Sequence, residues 1–342
     1  MLYLISFFAS FLTAFLALFL LVKITSYFKI KSRKNKRHIH AIQVSRLGGV
    51  AIILAFVIGI LVNPYLVLEN QHLAIILSSG IILIIGLADD FWKLDWKTQL
   101  FFQVAIAILI FILGIQIEYI TNPWGGMFFL KTGRWLLPSL LLGIIWIVTL
   151  MNAMNWLDGL DGLAGGIILI GSFIIFALSL KPEVDQPPLA IIAVSLMGAI
   201  LAFLFFNFYP AKIMAGTSGS MFMGFILAVL AIFAGAKIAT TLLVLILPLL
   251  DAFWVLLERF YRGTSLVNPD QRHLHYKLLK LGYSPRQIAF FFYGLTILMG
   301  WSALQLSTRE KLKILLGVAF ILVMTIIIVT NLLEKKSKKN NF

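Results

Sequence analysis

Residues Asn152–Gly166 read NAMNWLDGLDGLAGG, a polar stretch set between two apolar runs, 135–151 and 163–180, that are long enough to cross a bilayer. Asn152, Asn155, Asp158 and Asp161 recur every three residues, so a helical backbone would carry them as a slowly winding stripe. Gly159, Gly162, Gly165 and Gly166 let the backbone approach a ligand closely. A carboxylate at the centre of a membrane helix costs about 2.5–3.5 kcal/mol on insertion scales. Two of them this close together mark either a site or a helix cap, and a cap needs only one acidic group. The surplus of asparagines and glycines favours the site.

The remainder of the chain has the composition of a membrane protein. Of its 342 residues 61% are hydrophobic and 12% charged, and the mean hydropathy is +1.00. Such values exclude an ordinary soluble domain. With no cysteine, the chain has no disulfide framework, no thiolate nucleophile and no cysteine-held metal. The net charge of +14 raises nucleic acid as a partner. The basic residues, however, gather at the ends of apolar runs on one side, which is a topology signal and suits anionic lipid. No nucleic-acid partner is expected. Residues 2–22 lack the charged start of a cleavable signal peptide and are expected to remain as a first membrane helix.

Apolar windows predict eleven spans, near 2–22, 47–62, 73–88, 99–117, 135–151, 163–180, 188–206, 219–234, 238–256, 288–305 and 312–333. Only Gly235–Lys237 separates the eighth from the ninth, so ten spans is the alternative. With the N-terminus outside, loops 23–46, 89–98, 152–162, 207–218 and 257–287 and the C-terminal tail share one side and hold 21 of the 28 Lys and Arg residues. The positive-inside rule makes that side cytoplasmic. The expected fold is therefore a single all-α polytopic domain over 1–342, in the cytoplasmic (inner) membrane, with its C-terminus cytoplasmic. Asp89, Asp90, Asp158, Asp161 and Asp251 all fall at helix ends on the same side, so any chemistry is expected to face the cytoplasm.

Three further stretches on that side carry chemistry. Gly86–Lys93 reads GLADDFWK. Adjacent carboxylates repel, so Asp89 or Asp90 needs a cation, a proton or a metal. Lys93 stands four residues after Asp89, close enough to pair with it on a continuing helix. Together with Asp158 and Asp161 this makes four carboxylates suited to Mg²⁺ and diphosphate chemistry. Phe206–Ser220 reads FNFYPAKIMAGTSGS, a glycine- and hydroxyl-rich loop entering an apolar run. Its backbone N–H groups and Lys212 suit a phosphate, though such loops also serve as plain turns. Asp270–Lys277 reads DQRHLHYK. His273 and His275 without a third soft ligand make a poor zinc site. Backed by Arg272 and Lys277 they suit phosphate oxygens, the alternative being a wet basic loop against anionic lipid. Ser284-Pro-Arg-Gln287 predicts a capped helix start. Asp251, after Pro248, reads equally well as a cap or as part of a site, and His38 and His40 read as lipid-surface residues.

Several of these motifs, in this order, resemble the polyprenyl-phosphate N-acetylhexosamine-1-phosphate transferase family (glycosyltransferase family 4), which includes the MraY and WecA/TagO branches. The matching stretches are Ser45-Arg-Leu-Gly-Gly49, Asp89-Asp90 with Lys93, Asn152 to Gly165, Asn207-Phe-Tyr-Pro-Ala-Lys212, Asp251 and His273-Leu-His275. The segment His273–Gln287 is similar to the WecA/TagO branch. The resemblance implies transfer of a hexosamine-1-phosphate, most simply from UDP-GlcNAc, to undecaprenyl or another polyprenyl phosphate, with release of UMP. It implies Mg²⁺, with Mn²⁺ as the alternative ion, and it is compatible with a homodimer. By the same match Asp89, Asp90 and Asp161 are the catalytic and metal-holding carboxylates. Lys93, Asn152, Asn155, Asp158, Lys212, Arg272, His273 and His275 are the substrate-binding residues.

Two departures stand out. The family's glycine loop reads Gly-Asp-(Ser/Thr)-Gly-Ser with its Asp on Mg²⁺, whereas Thr217 stands at that position here. The family's H-x-H-H ends here in Tyr276. Two rival readings follow: a family member that binds lipid phosphate or nucleotide sugar without turnover, and an ion-coupled transporter built on intramembrane carboxylates. A CDP-alcohol phosphotransferase is set aside, because its spaced D-G-x₂-A-R…G-x₃-D-x₃-D pattern does not occur.

Overall fold

The computed structural model describes residues 1–28, 44–122, 124–130, 133–235, 238–265 and 271–340. His38, His40 and Asp270 lie outside them. Each predicted apolar window falls on helix, save that the fourth runs on past the end of α4 at Ile112: α1 (Leu2–Tyr27), α2 (Gly48–Leu61), α3 (Asn70–Trp92), α4 (Trp96–Ile112), α5 (Leu136–Leu157), α6 (Leu163–Ser179), α7 (Pro187–Asn207) and α8 (Gly216–Phe233). The C-terminal part adds α9 (Ile238–Val244), α10 (Ile246–Tyr261), α11 (Leu274–Leu281), α12 (Pro285–Gln305) and α13 (Thr308–Asn340). Among the described residues seven helices are long and apolar enough to cross a membrane, or eight if the bent pair α9–α10 is one span, and α2, α4 and α6 are shorter apolar helices. The chain is thus an all-α polytopic membrane protein.

Helix starts follow local chemistry. Asp95 caps α4 by accepting the Thr98 N–H at 3.0 Å. Pro187 and Pro188 open α7, where a missing N–H costs nothing. Ser284 and Gln287 form the predicted reciprocal box at the start of α12, with Pro285 in the first turn.

Three expectations change. The ninth window is broken: α9 and α10 meet at 78°. Pro248 has no N–H for the carbonyl of Val244, four residues back, and its ring crowds that carbonyl; α9 ends at Val244. The loops are also shorter than predicted. α3 runs to Trp92 and α5 to Leu157, so Asp89, Asp90, Asn152 and Asn155 are helical. Last, an antiparallel hairpin interrupts the helices between α4 and α5, pairing β1 (Tyr119–Thr121) with β2 (Met127–Phe129). Its turn is closed by Asn122 and Gly126 (3.0 Å), with Gly125 and Gly126 at positive φ.

Packing follows membrane logic. On α1 the buried residues are Ser6, Ser10, Ala14, Leu18 and Thr25, mostly small and four apart, and this face packs on α2 and α7. Leu4, Phe8, Leu12 and Leu16 point outward. Small residues inside and large apolar ones outside is the arrangement expected where lipid, not water, is the surroundings. The centre is α8, which is buried along almost its whole length against α2, α3 and α5. Its direction is fixed by contacts at both ends. Gly86 of α3 packs on Ser218 and His72 of α3 lies near Phe233, so α3 is antiparallel to α8. Asn155 bonds Ser220 and Trp146 bonds the Ala228 carbonyl, so α5 is antiparallel as well. Gly49 meets Gly219 and, further along, Phe56 meets Phe222, so α2 is parallel. The C-terminal ends of α3 and α5 and the N-terminal ends of α2 and α8 therefore gather at one end of the bundle.

A side chain at Gly86 would overlap the Ser218 backbone, whereas Gly80 on the same helix has no atom within 4 Å of an added Cβ. Gly86→Ala should therefore destabilise the protein by about 1–3 kcal/mol through overpacking, read as a lowered thermal midpoint in detergent. Gly80→Ala should leave that midpoint unchanged or raise it.

Candidate functional site

Where those four helix ends meet, the two adjacent carboxylates of α3 face the first turn of α8. The Thr217 backbone N–H donates to both oxygens of Asp90, at 3.1 and 2.9 Å, and the Thr217 hydroxyl donates to Asp89 Oδ2 at 2.7 Å. The other Asp89 oxygen accepts the Leu94 N–H at 3.0 Å and Gln99 Nε2 at 2.8 Å. Arg46 places a guanidinium nitrogen 3.8 Å from Asp90, whose side chain is only 5% exposed. Gly216 is at φ +72°, and a Cβ there would lie 2.5 Å from Asp90 Oδ2 and also strike the Arg46 carbonyl. Only glycine allows this approach. The strand-like segment around Ser45 is bound to the same loop: Met214 N–H donates to Ser45 O at 2.8 Å, and Gly48 and Gly49 donate to Met214 and Ala215. The expected Lys93–Asp89 pair does not form. The helix ends first, Lys93 turns into a left-handed conformation at φ 55°, and its side chain is exposed.

The quoted glycine-rich stretch closes the opposite wall. Asn155 accepts the Ser220 hydroxyl at 2.9 Å, tying α5 to α8. Asn152 exchanges hydrogen bonds with Gln103 of α4, its Nδ2 donating to Gln103 Oε1 at 2.7 Å. Asp158 caps α5 in a half-buried position. Enclosure by the protein pushes its carboxyl well above the usual carboxylate range; the Arg46 guanidinium opposes that shift, and Asp90 and Asp161 add to it. Asp161 is 2% exposed and accepts the Ala211 N–H at 2.9 Å. Asn207 bridges the same two loops, accepting from Gly162 N–H at 3.0 Å and donating to the Ile213 carbonyl at 2.9 Å. Tyr293 of α12 donates to the Gly162 carbonyl at 2.5 Å. Lys212 projects outward from this loop and is exposed.

The histidines form the third wall. His273 Nδ1 lies 2.8 Å from Asp251 Oδ2, with both residues buried. The His275 ring stacks on His273 (centroids 5.7 Å, 10° between planes) and contacts Tyr276. Gly159 lies directly against the Tyr276 hydroxyl. Trp156 lies 6.1 Å from His273, so α11 packs on the end of α5. Arg272 donates to Thr264 Oγ1 at 3.2 Å. Lys277, read from sequence as a phosphate donor, is instead bonded to Glu258 (3.3 Å) and Thr330 (3.0 Å). It anchors α11 to α10 and α13.

Asp89, Asp90, Thr217, Asn155 and Asp158 thus converge, with Asp161 and the histidines bracing their surroundings. Among the described residues no three His, Cys, Asp or Glu side chains form a metal cage. What the site offers is two neighbouring carboxylates, an arginine and the first turn of a buried helix. That set suits phosphate groups carrying their own divalent cation. The sequence reading gives no sign of Gln99, Gln103 or Tyr293, whose partners are distant or across the bundle. Arg46 and Asn207 lie inside the motif stretches, but nothing local reveals what they bind.

Comparison with known proteins shows which proteins the chain is similar to. Residues 72–235 match the family model of glycosyl transferase family 4. The chain is 29% identical over 344 positions to the probable undecaprenyl-phosphate N-acetylglucosaminyl 1-phosphate transferase of Bacillus subtilis, covering 96% of this chain and 93% of that one. It is 30% identical over 316 positions to the decaprenyl-phosphate N-acetylglucosaminephosphotransferase of Mycobacterium tuberculosis, covering 83% and 78%. To the undecaprenyl-phosphate alpha-N-acetylglucosaminyl 1-phosphate transferase of Salmonella typhi it is 24% identical over 300 positions, covering 81% and 76%.

Asn207→Ala removes both bonds that clamp the 158–162 and 208–215 loops together. Leaving a buried N–H and carbonyl without partners should cost on the order of 1–3 kcal/mol each way. The expected result is a lower thermal midpoint and faster limited proteolysis between Tyr209 and Ile213.

Proposed function

The chain belongs to glycosyl transferase family 4, among the polyprenyl-phosphate N-acetylglucosamine-1-phosphate transferases, and on that footing we propose that it moves N-acetylglucosamine-1-phosphate from UDP-GlcNAc to a polyprenyl phosphate. The observation that carries the reading is the pair Asp89–Asp90 seated on the first turn of α8, beside the Asp158–Gly162 loop. In the proposed reaction an oxygen of the lipid phosphate attacks the sugar-bearing phosphorus of the donor. The bond between the two donor phosphates breaks and UMP leaves. A phosphomonoester is already largely doubly ionised near neutral pH, its second pKa being about 6, so no strong base is needed. The protein's task is positioning and charge neutralisation.

Asp89 and Asp90 would hold Mg²⁺, or Mn²⁺ in its place, together with the substrate phosphates, since Mg²⁺ is commonly bound by one or two carboxylates plus phosphate and water. When bound, the ion supplies positive charge to the transferring phosphoryl group. Arg46, with Lys93 and Lys212 at the mouth, draws in anionic phosphates. Asn155 and Asp158 meet the nucleotide, and His273, His275 and Arg272 bind phosphate oxygens. Asp161, expected from the family match as a third metal-holding carboxylate, joins no three-ligand cluster among the described residues and acts instead through the loop it holds by the Ala211 N–H. Eleven crossings with the N-terminus outside would set this end of the bundle at the cytoplasmic headgroup level, where lipid phosphate and soluble nucleotide sugar meet. Carboxylates at helix ends speak against ion-coupled transport, which favours charges near the midplane.

A second reading has one observation behind it. Thr217 fills the family's metal-ligand position with a neutral hydroxyl that donates to Asp89, which fits a chain that binds substrates without turnover. One assay separates the two: UMP release by the detergent-purified protein given UDP-GlcNAc, undecaprenyl phosphate and Mg²⁺. The transferase reading expects release that EDTA abolishes and that Asp90→Asn lowers by about 10²–10³, the size of effect seen when a transition-state electrostatic group is lost. Silence in the wild type with release by Thr217→Asp would favour the second reading. Silence in both would overturn the transferase.

A further inference from the structure

Asp89 is held at both oxygens. Oδ2 accepts the Thr217 hydroxyl at 2.7 Å, and Oδ1 accepts two donors, the Leu94 N–H at 3.0 Å and Gln99 Nε2 at 2.8 Å. The same Gln99 nitrogen donates to the Leu94 carbonyl at 3.3 Å. An ionised carboxylate and a carbonyl can only accept, so Gln99 must turn its NH₂ and not its oxygen toward them.

The local sequence brings Gln99 there. α3 closes with the Lys93 N–H on the Asp89 carbonyl at 2.9 Å, and Lys93, left-handed at φ 55°, turns the chain. Asp95 starts α4, and the Gln99 N–H donates to the Asp95 carbonyl at 3.1 Å, one turn into that helix. Side chains on a helix lean toward its N-terminus, so Gln99 reaches back over the turn to the end of α3. Asp89 Oδ1, Leu94 and Gln99 form one closed set of hydrogen bonds.

An ionised carboxylate has about two acceptor positions on each oxygen. Both on Oδ1 are filled. Oδ2 has one partner, a hydroxyl that can rotate away. What Asp89 can offer a cation is therefore Oδ2, on the Thr217 side beside Asp90.

We infer that Gln99 is a positioning residue for the metal site: with the Leu94 N–H it fixes the Asp89 side chain by Oδ1, so that Oδ2 alone meets the divalent cation of the substrate phosphates. This rests on the metal-holding role given to Asp89 above. Gln99 acts through Asp89 and touches neither cation nor substrate. The plain alternative is that Gln99 only ties α4 to α3.

Metal affinity separates the two roles. Gln99→Leu and Gln99→Met both remove the N–H donors at similar size and differ in shape. Full-length protein in detergent is titrated with Mn²⁺, with UDP-GlcNAc present and no lipid acceptor, and binding is read as the enhancement of water-proton relaxation over a protein-free blank. The wild type should saturate. Both variants should need on the order of 10–100-fold more Mn²⁺, the size of effect seen when a partner that orients a metal ligand is removed. Their thermal midpoints in EDTA should stay near that of the wild type, because Gln99 and Asp89 are half-buried and water can take the lost donor's place. Mn²⁺ midpoints equal to the wild type's, or tighter, would overturn the inference. So would a loss confined to one variant, or one matched by a fall in thermal midpoint, which would make Gln99 a folding residue. A wild type without enhancement would fail the metal reading of Asp89 and this inference with it, whereas variants that match a binding wild type fail the inference alone.

Discussion

A helix that begins inside a membrane protein has backbone N–H groups with no partner in its own turn, and water is not there to take them. At the start of α8 the second of these, that of Thr217, is met by both oxygens of Asp90, while the Thr217 hydroxyl reaches Asp89. The exchange serves both sides. The helix end gains acceptors and negative charge where its dipole is positive, and two like charges gain donors that let them sit side by side. Much else in the fold brings these groups within reach. Gly86 lets α3 lie on Ser218, Gly49 lets α2 lie on Gly219, and Gly216 allows the turn against Asp90. The polar links Asn155–Ser220 and Asn152–Gln103 then bring α5 and α4 to the same end.

Most of the architecture was legible because membrane helices announce themselves by length and apolarity alone. Each predicted window lies mostly on helix, and the box at Ser284–Gln287 formed as its residue types dictate. The sequence reading failed where one residue's covalent chemistry overrode a long apolar pattern, as Pro248 did between α9 and α10. It also placed helix ends too early, because Asp89 and Asn155 read as loop polarity although their partners on neighbouring elements allow the helices to continue.

The site was legible in part, and the division is physical. Residues that carry charge or a helical spacing, such as Asp89, Asp90 and Asp158, stand out against an apolar background. Residues that act through a distant partner do not. Tyr293 meets Gly162 across 131 positions, and Gln103 meets Asn152 across 49. No local pattern encodes such a pair. Lys277 shows the converse: a cation in a basic loop reads as a phosphate ligand, yet its carboxylate and hydroxyl partners lie on two other helices.

The glycine contacts bear on how the site can move. Side chains that touch can trade rotamers and let two helices drift by small amounts. Backbones that touch have no such slack: α2, α3 and α8 meet through Gly49, Gly86 and Gly219, where there is nothing to re-pack. Their separation is therefore a two-valued quantity, docked or apart. Lipid tension or temperature acting on the rim would leave the carboxylates where they are until all three helices let go together, and catalysis would end as a step, without a gradual decline.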